Sequence, residues 1–85
     1  KVILNTLERA NMITNKIYGC EINNKKYVAI LETFGWRFYK IVGKSTMSTT
    51  PTRGIDISEC RLWENDDVKK MGENYLQLKS FIMMI

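Results

Sequence analysis

Apolar and polar positions alternate with a period of two within residues 14 to 42, which predicts a three-stranded antiparallel meander. Two runs rich in β-branched and aromatic residues, 25–33 and 36–42, flank the pair Phe34-Gly35. A third run, 17–22, precedes them across Asn23-Asn24. Asn and Gly tolerate the positive φ that tight hairpin turns need, so each pair reads as a two-residue turn. Threaded this way, Glu21 faces Lys26, Cys20 faces Tyr27 and Tyr18 faces Ala29. In the second hairpin Glu32 faces Arg37, Leu31 faces Phe38 and Ile30 faces Tyr39. Both opposite-charge pairs then stabilise the ladder from one face.

The alternation sorts the side chains into two sets. One face holds Tyr18, Cys20, Ile22, Lys25, Tyr27, Ala29, Leu31, Trp36, Phe38, Lys40 and Val42. The other holds Ile17, Glu21, Lys26, Val28, Ile30, Glu32, Arg37, Tyr39 and Ile41. Both sets contain enough apolar surface to need covering.

The pattern changes at both ends of the chain. Asn5 with Glu8 three residues later resembles a capping box, and Leu4, Leu7 and Met12 supply a short stripe, so a first helix is expected over about 5–12. Asn65 is a good helix N-cap, and Asp66 and Asp67 place negative charge at the positive end of the helix dipole. Val68, Met71, Tyr75, Leu78, Ile82 and Ile85 then recur at helical spacing. This predicts a helix over 65–85, packed on the sheet face that bears Tyr27, Leu31 and Phe38, with Leu78 buried. Residues 43–54 are rich in Ser and Thr, hold the only Pro and read as a loop. Ile55, Ile57 and Trp63 suggest a fourth strand within 55–63. The expected fold class is therefore α+β, in one small domain: a short N-terminal helix, a three- to four-stranded antiparallel meander sheet and a C-terminal amphipathic helix on one face.

Composition adds constraints. The chain has 85 residues, enough for one domain of modest core. No apolar run approaches the length of about 18 residues that a membrane helix needs, and Asn5 and Glu8 interrupt any signal-peptide core near the start. No membrane partner is expected. Cys20 and Cys60, the only cysteines, read as buried free thiols in a reducing, cytoplasmic setting.

The chemistry needed for catalysis is sparse. There is no His, and no CxxC, so no zinc shell, no other metal site and no activated nucleophile is expected. Gly43-Lys44-Ser45 resembles the end of a phosphate-binding loop, but position 38 is Phe where that motif needs Gly, and Pro51 lies where it needs a helix. No cofactor and no enzymatic activity are expected.

Charge is unevenly distributed. The net charge is +4, yet residues 1–55 carry nine cations against three anions, whereas 56–85 carry four against six. An anionic partner is one explanation, and simple solubility is the other. Lys26, Arg37, Tyr39, Lys40, Lys44 and Arg53 are the candidate binding residues. A sheet face that mixes cations with an aromatic ring is how several RNA-binding modules hold bases and backbone. Phe34-Gly35-Trp36-Arg37-Phe38 is only an echo of the RNA-recognition signature.

Two function classes follow. The first is a small regulatory or inhibitory protein-binding domain, of the phage-accessory kind, that occupies a protein partner's surface. The second is an RNA or single-stranded nucleic-acid-binding module, alone or inside a protein–RNA complex. Phe81-Ile82-Met83-Met84-Ile85 is apolar all round, so the C-terminal helix is also a candidate seam for a homo-oligomer.

Overall fold

The structure is a computed structural model that describes residues 2–3 and 16–84, with side chains over 16–81. It is an α+β arrangement: an antiparallel sheet with one C-terminal helix. The strands are β1 (Val2–Ile3), β2 (Ile17–Ile22), β3 (Lys25–Glu32), β4 (Gly35–Lys40) and β5 (Arg61–Glu64), and the helix is α1 (Asp66–Met84). The order across the sheet is β1-β5-β2-β3-β4. The four-stranded body is thus the meander β2-β3-β4 with β5 returning beside β2, and two-residue β1 extends its edge. The expected helix over 5–12 lies outside the described residues.

The first hairpin forms as the sequence dictates. Asn23 and Asn24 both take positive φ, 51° and 64°, and the register pairs Glu21 with Lys26, Cys20 with Tyr27 and Tyr18 with Ala29. The second hairpin differs from expectation. Its turn is Thr33-Phe34, and Gly35, at φ 129°, opens β4 instead of sitting in the turn. Glu32 therefore faces Gly35, Leu31 faces Trp36 and Ile30 faces Arg37. The partners shift by two residues, which preserves the period-two faces. Arg37 still reaches Glu32 diagonally, as an ion pair.

Both expected faces are buried, each by a different cover. Tyr18, Cys20, Tyr27, Ala29 and Phe38 join Cys60 and Leu62 in one cluster, flanked by Ile22, Trp36, Ile55 and Ile57. Ile17, Val28, Ile30, Tyr39 and Trp63 meet Val68 and Met71 of α1 in the other. The helix thus packs on the face opposite to the one expected. Alternation could not choose the side, because both faces are apolar. Small residues choose it. The Trp63 ring lies over Gly19, where an added Cβ would come within 2.0 Å of Cε2, and Gly72 of α1 sits against Ile17. The first face is filled instead by Trp36, its ring 5.7 Å from Tyr18 and 6.3 Å from Phe38, and by the chain returning through Ile55 and Ile57.

That return also splits the fourth strand expected over 55–63. Asp56 caps a 3-10 turn, Ile57–Glu59, its carboxylate accepting from the Ser58 N–H at 2.9 Å and hydroxyl at 2.8 Å. The strand itself starts at Arg61. The Asn65 side chain accepts from the Val68 N–H at 2.8 Å and caps α1 as the sequence suggests. The stripe of α1 then turns away from the expected line. Val68, Met71 and Gly72 are buried and Tyr75 and Leu76 half-buried, while Leu78 and Phe81 are exposed.

The 43–54 loop is irregular but tied to the sheet. Ile41 and Met47 form a bridge, the Ser48 N–H donates to the Lys40 carbonyl at 2.8 Å and the Thr52 N–H donates to the Phe38 carbonyl at 2.8 Å. Cys20 and Cys60 are both buried and unbridged.

Candidate interaction surface

The outer edge of β4 and the returning loop enclose a groove of about 400 Å³. Its walls include Phe34, Trp36, Phe38, Pro51, Arg53 and Ile55. Each wall has a local cause. Phe34 occupies a turn, so its side chain leaves both sheet faces and stands fully in solvent. Trp36 is held by the rings of Tyr18 and Phe38, across the small Ala29 that separates those two in the register. Arg53 precedes Gly54, whose φ of 83° turns the chain off the edge and sends Ile55 onto the sheet.

The backbone of this edge is only partly used. Within a strand, the N–H and C=O of one residue point to the same side, and successive residues alternate. Phe38 and Lys40 accept from Thr52 and Ser48, which lie outside the sheet, so even-numbered residues of β4 face outward. Trp36 has the same parity and opens onto the groove just where the loop has left.

Electrostatics at the groove are cationic. The Glu32 carboxylate is engaged by Arg37, and this hydrogen bond and charge raise the Arg37 guanidinium above its ordinary pKa. Arg53 is exposed and has no carboxylate partner among the described residues.

The structure brings two of the six sequence-derived candidates, Arg37 and Arg53, to this groove. Lys26 is exposed near the opposite end of the meander, paired in register with Glu21. Lys40 is exposed beyond Phe38, and Lys44 is exposed in the loop. Tyr39 is 1% exposed, beneath α1, with its ring 4.7 Å from that of Tyr75. Burial, and then a hydrogen bond to Tyr75, raise its hydroxyl well above the ordinary tyrosine pKa. The cations thus lie at both ends of the sheet, and the ring expected among them is covered. Phe34 and Trp36 were not among those candidates. An apolar Phe inside a turn was the available signal.

No group of three or more His, Cys, Asp or Glu able to hold a metal occurs among the described residues, and no described helix is long and apolar enough to cross a membrane. Comparison with family models, curated proteins and solved structures gave no match to this chain.

Proposed function

We propose that this chain is a small, non-enzymatic protein-binding domain of the regulatory or inhibitory kind, which acts by occupying a partner's surface. The observation that carries the reading is the β4 edge: a fully exposed Phe34 beside a groove with an aromatic wall and unengaged outward backbone. Phe34 shares this groove with Trp36, Phe38 and Ile55, and an exposed aromatic contiguous with an apolar wall fits an anchor for a partner. Two buried, unbridged thiols fit a reducing, cytoplasmic setting.

The nucleic-acid reading draws support from the basic first half of the chain, but Tyr39 offers no ring face for a base to stack on. The discriminating experiment is a titration of mixed-sequence RNA at several salt concentrations, wild type beside Lys44→Ala/Arg53→Ala. The protein-binding reading expects no measurable affinity at physiological ionic strength of about 0.15 M. Binding that persists there, falls steeply with salt and loses about one unit of slope per cation removed would replace it with the nucleic-acid reading.

A further inference from the structure

The geometry points to β-strand addition at Trp36: the groove takes an extended, acidic segment of a partner protein, which pairs its backbone with β4. The inference rests on the protein-binding reading and names the partner's chemistry. The loop engages the Lys40 and Phe38 carbonyls of the edge, then departs at Arg53-Gly54, leaving the next outward residue, Trp36, without a strand beside it. An antiparallel partner residue would exchange both hydrogen bonds with Trp36, the mode by which exposed sheet edges capture peptides. Side chains on alternate residues of that strand would meet Trp36, Phe38 and Ile55 on one side of the sheet.

Charge chooses the occupant. Arg53 lies on the rim without a carboxylate among the described residues, and Glu32 is already taken by Arg37. A second copy pairing edge to edge about Trp36 would bring two uncompensated Arg53 side chains to one seam, beside two Arg37–Glu32 pairs that are already neutral, a like-charge arrangement of the kind sheet edges use against such pairing. An acidic segment with a large apolar residue meets both the cation and the aromatic wall. Leu78 and Phe81 on α1 form a separate exposed apolar area, and the structure shows nothing that would cover it.

The test is a selection from a random-octapeptide library on the whole chain, followed by amide hydrogen exchange with the enriched peptide. Enrichment of acidic sequences with a large apolar residue is expected, together with exchange at the Trp36 N–H slowed by about tenfold or more on binding. Arg53→Glu should bind about tenfold more weakly through its reversed rim charge. A chain assembled by ligation at Cys20 and Cys60 with N-methyltryptophan at position 36 should keep its fold and lose the peptide, because that N–H faces away from β3. Phe81→Asp should bind as wild type does. No enrichment, or full binding by the N-methyl chain, would overturn strand addition. Peptides that protect α1 around Leu78 and Phe81 while Trp36 exchanges at its free rate would also overturn it, and would leave the protein-binding reading standing.

Discussion

The indole of Trp63 occupies the space where Gly19 has no side chain: a Cβ at position 19 would lie 2.0 Å from Cε2, 2.3 Å from Nε1 and 2.5 Å from Cζ2 of the ring. The two residues face each other across the β2–β5 ladder. The contact holds β5 to the meander and lets a full aromatic ring lie flat beneath α1. Gly19→Ala must displace a rigid ring that is 3% exposed, so it should destabilise the fold by about 1–3 kcal/mol. Gly72→Ala meets Ile17 at 2.6 Å from Cγ2 and 2.7 Å from Cδ1, so this β-branched neighbour, stiff at χ1, must also give way. The same change gains about 1 kcal/mol of helix propensity, so its net cost should be the smaller of the two. Denaturant unfolding of both variants checks the order.

Leu62 and Leu78 should separate sharply. Leu62 is 1% exposed in the cluster with Cys20 and Tyr18, and Leu62→Ala should cost about 2–5 kcal/mol. Leu78 is 55% exposed, and Leu78→Ala should stay within about 0.5 kcal/mol, contrary to its place in the apolar stripe. Urea midpoints measured side by side decide this. A large loss at Leu78 would mean that the second half of α1 is buried against something.

Tyr39 predicts an alkaline limit to stability. Its hydroxyl stays protonated in the fold at pH values where the unfolded chain ionises. Above the ordinary tyrosine pKa of about 10 the native state therefore binds more protons than the unfolded state, and stability falls as pH rises. Tyr39→Phe should be less stable near neutrality, because it loses the hydrogen bond with Tyr75, but should show a shallower decline above about pH 10. Unfolding measured over alkaline pH, wild type beside variant, reads both effects. Equal slopes in the two proteins would contradict the assignment.

Local signals were legible where one residue type answers one backbone demand. Asn23 and Asn24 accept positive φ, and Asn65 caps a helix beside two aspartates, so both features could be read directly. The two sheet faces were legible as well, and they survived a two-residue error in the second register because parity is unchanged by such a shift. The side taken by α1 was not legible. It depends on Gly19 meeting Trp63 and Gly72 meeting Ile17, contacts between distant parts of the chain that leave no periodic mark.

The surface followed the same division. Charge asymmetry pointed to Arg37 and Arg53, which do line the groove. The roles of Phe34 and Trp36 depend on where the turn falls and where the loop leaves β4, and those are tertiary facts. Tyr39 belongs to the helix-covered face, so its neighbours are Tyr75 and core side chains, not solvent.

Affinity capture separates a protein partner from a nucleic-acid bridge most directly. Wild type, Phe34→Ser/Arg53→Glu and Phe81→Asp are immobilised in parallel, exposed to lysate of the native host cell with and without nuclease treatment, washed at high salt and quantified by mass spectrometry. One protein should be retained in near-stoichiometric amount by wild type and by Phe81→Asp, and lost from Phe34→Ser/Arg53→Glu, whose changes lie on exposed groove residues that leave the core untouched. Capture that vanishes after nuclease treatment, or the same protein held equally by the groove variant, would contradict a protein-binding surface at the β4 edge.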